Sequence, residues 1–248
     1  MTEALPGKSS LVAAIASWLG KFAPSCILAG LLGIHLGAIP PLGGFIFYQF
    51  GLLIALLALV LGLVGVFLTR GGGDPKGQQG AWLGAASGTL IITLTVIGAG
   101  PGIGSPPIND ITTDLDDPPA FAPASEVPDY AGRDMGYPAE FVGVVRASYP
   151  ELGPIRGSMS GEEAYTRALG VAEDLGWEVV HRDPEHGTFD ARDTSLFFRF
   201  VDDVTVRVRG EGGEAVIDLR SKSRDGRGDL GANAARIEKF KEAFAAAG

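Results

Sequence analysis

Six cations crowd the carboxy-terminal part of the chain: Arg207, Arg209, Arg220, Lys222, Arg224 and Arg236. Side chains at alternate positions of a strand share one face, so Arg207 and Arg209 stand together with Thr205, and Arg220 continues the outward series of Val216 and Asp218. Planar guanidinium groups in such a row suit carboxylates or phosphates, which they grip bidentately. Ser221 and Ser223 add hydroxyls, and the loop that follows adds Arg227. Asp229 and Asn233 then fall where a last helix should begin, a place whose free amides and dipole favour anions. Upstream, "PPINDITTDLDDPPAF" (106–121) gathers Asn109, Asp110, Asp114, Asp116 and Asp117 between two proline pairs.

Several chemistries fit these groups. The cationic set can take an external anion, such as a lipid headgroup or an acidic cell-envelope polymer. Alternatively it accepts the carboxylates of the 106–121 stretch, whose prolines fix φ and bias the preceding residue toward extended geometry, making a semi-rigid strut. On that reading the domain is clamped against its own stalk. "NDITTDLDD" is oxygen-rich enough to suggest calcium, but it lacks the glycine and distal glutamate of a calcium-hand loop. A hydrolase would draw on His181, His186, Asp183, Asp190, Asp193, Asp202, Asp203, Ser221 and Ser223. The sequence shows no nucleophile elbow, no zinc-type His–Glu pairing and no phosphate loop. Asp202 and Asp203 read as a hairpin turn, and His181 as an exposed or edge-strand residue. The expectation is therefore no catalytic residues, no metal and no cofactor.

The elements that carry these groups sit in a divided chain. Of the 248 residues, the first 100 hold four basic and two acidic side chains, leaving 16 basic and 27 acidic for the rest. The acidic balance and a pI near 4.8 argue against nucleic acid, which needs an electropositive footprint. Cys26 is the one cysteine, so no disulfide forms within one chain; it reads as a small core residue.

Three stretches, 22–39, 45–68 and 81–99, contain no Lys, Arg, Asp or Glu and have the length of transmembrane helices. Residues 9–20 read either as an in-plane amphipathic helix or as an early extension of the first span. Lys8 and Lys21 precede the first span, and Arg70 and Lys76 lie between the second and third. Basic flanks stay cytoplasmic, which predicts a cytoplasmic N-terminus and an extracytoplasmic remainder. Gly33 and Gly37, then Gly80, Gly84 and Gly88, recur every fourth residue, a spacing that lets helices approach closely in a bilayer. His35 reads as a neutral imidazole near the outer end of its span.

Residues 101–154 form a proline-rich acidic connector in which "EFVGVVRASY" is a helix or a strand. An ordered domain follows over 155–248. Ser160 and Glu163 make a capping box, Ala164, Ala168, Val171, Ala172 and Leu175 make an apolar stripe, and Gly176 ends that helix. "WEVVHR", "TFDAR", "SLFFRF", "VTVRVR" and "AVIDLR" alternate in polarity between short loops, as antiparallel strands do. Leu196, Phe198 and Phe200, then Val204, Val206 and Val208, then Ala215, Ile217 and Leu219 should face one side. Ile237, Phe240 and Phe244 line a closing helix. The fold class is α+β: three transmembrane helices, then a two-layer domain with an antiparallel sheet of four to five strands and two helices on one face.

"PPINDITTDLDDPPAF", "FVDDVTVRV" and "RSKSRDGRGDLGANAARIEKF" together resemble the bacterial domain-of-unknown-function family numbered 1499, in its membrane-anchored form. The last motif carries the most weight, through Arg220, Ser221, Ser223, Arg224, Gly226, Asp229, Gly231, Asn233, Arg236 and Ile237. Two departures stand out: the family pattern suggests a histidine at Asn109 and a serine at Gly228. The resemblance implies a bacterial protein with three spans followed by an extracytoplasmic domain; the apolar spans add a place in the cytoplasmic membrane in contact with its lipid, and the acidic balance leaves no nucleic-acid partner. It supplies no reaction.

Overall fold

A computed structural model describes residues 10–211 and 213–247; Lys8 of the topology argument and Gly212 of the "GEGG" turn lie outside them. Among the described residues there are six α-helices: α1 (Leu11–His35), α2 (Pro41–Thr69), α3 (Pro75–Ala99), α4 (Phe141–Ser148), α5 (Gly161–Asp174) and α6 (Ala232–Ala246). Six strands accompany them: β1 (Asp110–Thr112), β2 (Ile155–Gly157), β3 (Glu178–Asp183), β4 (Thr188–Thr194), β5 (Val201–Glu211) and β6 (Glu214–Ser223). The chain divides into two compact units. One runs to Pro101 and includes Leu196–Arg199; the other comprises Gly102–Ser195 and Phe200–Gly248.

In the first unit, α1, α2 and α3 are each long and apolar enough to cross a membrane. Most of their large apolar side chains point outward, and, Ile34 apart, the buried apolar positions are small: Ala16, Ala55, Ala58, Gly62, Ala81, Gly84 and Gly88 among them. Lipid tails offer no hydrophobic incentive for helices to associate, so close backbone approach and dispersion hold them together. A Cβ on Gly62 would meet the Ala85 nitrogen at 2.4 Å, and one on Gly88 the Ala55 carbonyl oxygen at 2.4 Å. Gly80, Gly84 and Gly88 do line this seam. Gly33 and Gly37 do not: a Cβ on Gly33 would meet only Ile39, and Gly37, at φ +68°, follows the end of α1.

Residues 11–20 belong to α1, so the first helix starts well before position 22 and continues through Pro24. Proline lacks the N–H that would bond the carbonyl four residues earlier, here Gly20. The Ser87 hydroxyl of α3 donates to that Gly20 oxygen at 2.6 Å, replacing the lost bond from a neighbouring helix, as hydrocarbon surroundings demand. Ser87→Ala is expected to destabilise the three-helix unit by about 0.6–1.7 kcal/mol. Adding Pro24→Ala should recover most of this, since the restored backbone N–H would again donate to Gly20. Thermal unfolding of the single and double variants in detergent measures both effects; an additive double variant would refute the link. At the opposite end, Asp74 accepts from the Ser10 and Gly77 amides, each at 2.8 Å, and so caps α1 and α3 together.

In the second unit the strand order is β1-β6-β5-β4-β3, with β2 also on β6, and every pairing is antiparallel. Val204, Val206, Ile217 and Leu219 face α5 and α6, where they meet Ala164, Ala168, Val171, Ile237 and Phe240 in one buried cluster. The Trp177 ring stacks on Phe240 at 5.3 Å between centroids. The Ser160–Glu163 capping box starts α5, and Gly176, at φ +81°, follows its end. "EFVGVVRASY" yields the helix α4, with Val145 buried.

Two local expectations are corrected. "SLFFRF" is not a strand: Leu196–Phe200 form the loop between β4 and β5, so Leu196 and Phe198 add nothing to the inner face. Asp202 and Asp203 are not a turn. They lie inside β5, opposite Ser223 and Lys222, at 5% and 1% exposure. Two adjacent carboxylates disfavour a strand locally, but each finds an arginine from another element, and that pairing outweighs the local preference.

The outer face of the sheet is covered by residues 113–137. Ala120 accepts from Thr205 Oγ1 at 3.3 Å, and the Ala122 amide donates to Asp190 at 2.8 Å. Phe121, Val127 and Tyr130 form a second small apolar cluster with Val180 beneath them. The proline-rich connector is thus a strap laid across the domain, with β1 as its anchor on the sheet edge.

Candidate functional site

Strand pairing sets the register of the charged groups. β1 aligns Asp110 with Lys222 and Thr112 with Arg220, which brings the first strap carboxylate beside the end of β6. Asp110 is fully buried and Arg220 is 2% exposed. Arg220 donates Nε to Asp110 Oδ1 at 2.9 Å and Nη2 to Oδ2 at 2.7 Å, and its remaining donors reach the Pro119 and Met135 carbonyls. Its guanidinium lies 4.9 Å from the Phe121 ring centre and 5.2 Å from that of Tyr137. Lys222 adds a third contact to Asp110 Oδ2 at 3.0 Å. Burial, together with the Asp110 charge, pushes the pKa of the Tyr137 hydroxyl up to about 12, so it stays protonated.

A second cluster lies beside it. Asp218, fully buried, accepts through Oδ2 from both Arg207 and Arg209, at 2.8–3.3 Å. Asp114 Oδ2 faces the same two arginines at 3.3 and 3.2 Å, and Asp117 bonds Arg207 Nη1 at 2.8 Å. Asp114 Oδ1 accepts the Asp116 and Asp117 amides, which folds the strap tightly there. Asp116 itself points away, 96% exposed, with Arg146 at 3.8 Å.

Arg224 turns to a different acid. It forks onto Asp203 at 2.7 and 2.8 Å, with Asp129 further off at 3.5 Å, and the bonds to Asp203 hold its proton more firmly than usual. Arg227 is exposed.

The groups at the start of α6 form a buried polar network rather than an open anion seat. Asp229 folds back, accepting from the Gly231 amide at 2.9 Å and the Asn233 amide at 2.8 Å, so a carboxylate of the same chain already occupies the helix start. Asn233 is fully buried. Its Oδ1 accepts from Ser221 Oγ and Arg236 Nη1, both at 2.6 Å, and its Nδ2 donates to Ser223 Oγ at 3.0 Å and the Asn109 carbonyl at 3.2 Å. Arg236 also reaches Asp193 and Asp202. The Asn109 side chain donates to the Gly226 carbonyl at 2.8 Å.

The sequence groups all ten residues of the basic set as one patch. In the structure eight of them form three neighbourhoods, each with its own acids: Arg207 and Arg209 with Asp218 and Asp114; Arg220 and Lys222 with Asp110; Arg236, Asn233, Ser221 and Ser223 with Asp202 and Asp193. Arg224 pairs apart from these with Asp203, and Asp229 accepts the amides at the start of α6. Asp218, Asp203, Asp202 and Asp193 are partners that sequence reasoning does not assign to these cations. A lone aspartate within "AVIDLR" is the available signal for Asp218.

The groups considered for hydrolysis are scattered. His181 faces Glu126 at 2.7 Å on the edge strand β3, whereas His186 bonds Asp183 at 2.7 Å in the β3–β4 turn. Among the described residues no group of three or more His, Cys, Asp or Glu side chains is placed to hold a metal ion.

Asp190 is the carboxylate with the least conventional setting. Burial raises its pKa, opposed by the bond from Ala122. Nearby Tyr130 has a buried hydroxyl without a well-formed hydrogen bond, and its pKa is pushed up by burial first and then by the Asp190 and Asp203 charges. Because the folded state holds the Asp190 proton to higher pH than the unfolded chain, this group costs stability as pH rises above its ordinary value of 3.8, and costs none below it. Asp190→Asn keeps an oxygen for Ala122 and removes the buried charge. Its thermal midpoint is expected to equal or exceed that of the unsubstituted protein at neutral pH, with the difference shrinking in acid; a lower midpoint at neutral pH would contradict this.

A search of the curated proteins finds no match to this chain. A family model does match it, over residues 110–244, from the first buried strap carboxylate to the last core phenylalanine of α6, and its description is "Protein of unknown function (DUF1499)". Since that match spans more than half of the sequence and contains all three neighbourhoods, the chain belongs to the DUF1499 family, here joined to three helices able to cross a membrane.

Proposed function

We propose that this is a multi-pass protein of the bacterial cytoplasmic membrane, with a cytoplasmic N-terminus, whose extracytoplasmic domain is a non-catalytic structural or binding module closed by its own acidic strap. The observation that carries this reading is the Arg220–Asp110 fork, buried and bidentate, with Lys222 on the same carboxylate. A cation so enclosed is committed to its partner, and Arg207 and Arg209 are committed in the same way to Asp218 and Asp114. The dispersal of His181, His186, Ser221 and Ser223 among separate contacts favours a module over a hydrolase. The orientation is supported by Arg70 and Lys76, which lie at the connection of α2 to α3 and so, by the parity of three crossings, on the side where α1 starts; Lys21 falls inside α1 and does not flank it.

An external anion, whether an envelope polymer or a lipid headgroup, would have to compete with Asp114 and Asp117 for Arg207 and Arg209. Hydrogen exchange of the full chain in detergent is therefore expected to show the same protection over residues 109–117 with or without added inorganic phosphate or phosphatidylglycerol. Faster exchange there on addition of either would favour the anion-binding reading. For the orientation, Cys26→Ala variants carrying Pro75→Cys or Asp225→Cys should label from outside intact cells only at 225. Labelling at 75 alone would invert the topology.

A further inference from the structure

The loop between β4 and β5 is closed, exposed and apolar. The Ser195 amide donates to the Phe200 carbonyl at 2.9 Å, and the Phe200 amide donates back to Ser195 Oγ at 2.9 Å. Within the loop Arg199 takes a φ of 56°, a conformation that side-chain-bearing residues rarely adopt. The turn thus breaks the period of two that the strand pattern predicts, and it presents neighbouring apolar side chains together. Leu196 is 74% exposed and Phe197 66% exposed. A lone exposed leucine is ordinary; an adjacent Leu–Phe pair on a preformed tip, with an arginine two residues on, has the makeup of an interfacial anchor.

The fold also says where this tip lies. Leu196–Arg199 group with α1, α2 and α3 in one compact unit. There the Phe198 ring stands edge-on to Phe45 at 5.3 Å and to Tyr48 at 5.2 Å, near the start of α2. The end of a spanning helix marks the level at which hydrocarbon gives way to headgroups, the zone where aromatic side chains collect. Leu196 and Phe197 directly precede Phe198 and stay uncovered by protein.

We infer that Leu196 and Phe197 are a second membrane anchor of this chain, inserted into the interfacial layer of the bilayer beside the start of α2. The partner is the lipid surface itself. Because the loop is already closed by Ser195 and Phe200, insertion orders little additional chain. The inference rests on the reading of α1, α2 and α3 as membrane spans.

Site-directed spin labelling tests it. The full chain with Cys26→Ala receives a single cysteine by Phe197→Cys, Leu57→Cys or Glu185→Cys, is labelled with a nitroxide, and is reconstituted into vesicles of phosphatidylcholine and phosphatidylglycerol in equal parts. Accessibility to oxygen, which concentrates in lipid, is compared with accessibility to a water-soluble nickel chelate. The label at 57, on the outer surface of α2, should favour oxygen strongly, and the label at 185, on an exposed turn, should favour nickel. The label at 197 is expected to shift from the value at 185 toward that at 57. If 57 reads as lipid while 197 reads as water, or 197 is shielded from both reagents, the anchor is refuted and the spans stand. If 57 also reads as water, the membrane reading falls with it.

Discussion

Asp110→Ala is expected to destabilise the sheet domain by about 3–5 kcal/mol, the cost of stranding a buried charge, and by more than Arg220→Ala. The asymmetry follows from the third member of the cluster. Without Asp110, Arg220 keeps only carbonyl and ring contacts at 2% exposure. Without Arg220, Asp110 still holds Lys222 at 3.0 Å, so its charge remains partly matched. Lys222 is itself 16% exposed along its side chain and can turn toward water when its partner is lost. Replacing both members by apolar residues, Asp110→Leu with Arg220→Met, removes the stranded charge and should restore a large part of the loss. Native-state hydrogen exchange at the slowest amides of β5 and β6, in the full chain, measures all three variants. Equal costs for the two single variants would show that Lys222 contributes nothing to the cluster.

Asn233→Ala is the second large effect. Asn233 offers one acceptor and two donor positions, and all are used inside the protein: Ser221 and Arg236 donate to it, and Ser223 and the Asn109 carbonyl accept from it. Arginine can only donate, which fixes the amide orientation. Truncation leaves these buried groups short of partners at about 1–3 kcal/mol for each one left unsatisfied, so a loss of about 3 kcal/mol or more is expected. Asn233→Asp should recover the Ser221 and Arg236 contacts, and the Ser223 hydroxyl can turn to donate to it, but the Asn109 carbonyl loses its donor. An intermediate stability is therefore expected, measured in the same exchange experiment. An aspartate variant no better than alanine would mean that the acceptor side of the network carries no weight.

This network gives a physical reason for the spacing in "RSKSRDGRGDLGANAARIEKF". Ser221 and Ser223 lie two apart on β6 and so share the helix-facing side. Asn233 and Arg236, three apart on α6, share the face that meets them. Gly231, at φ +79°, and Asp229, accepting the Gly231 and Asn233 amides, make the turn that starts α6. The motif is thus legible as the join between the last strand and the closing helix.

Local regularities are readable elsewhere as well. The three apolar helices, the Ser160–Glu163 box, the stripe of α5 and the alternation of β5 and β6 are short-range patterns, and the structure contains each of them. What lies beyond sequence reading is long-range. Asp110 and Arg220 are 110 positions apart: complementary charge suggests that the strap and the basic set meet, but not which carboxylate takes which arginine. The Ser87 hydroxyl that replaces the bond lost at Pro24 comes from a different helix. Asp202 and Asp203 read as a turn because two carboxylates rarely occupy a strand, and only Arg236 and Arg224, from other elements, reverse that. "SLFFRF" misleads for the opposite reason: its alternation is strand-like, but the closure between Ser195 and Phe200 bends it into a loop.

A self-closed domain requires the strap from 109 to 117 to be part of the folded sheet, its carboxylates closing the basic face. Hydrogen exchange of the unsubstituted full chain in detergent addresses this most directly, at the Thr113 amide, bonded to the Leu219 carbonyl at 2.9 Å, and the Ser223 amide, bonded to the Asn109 carbonyl at 2.8 Å. Both are expected to exchange as slowly as the central amides of β5. Exchange at Thr113 near the rate of an unstructured peptide, with β5 still protected, would contradict it.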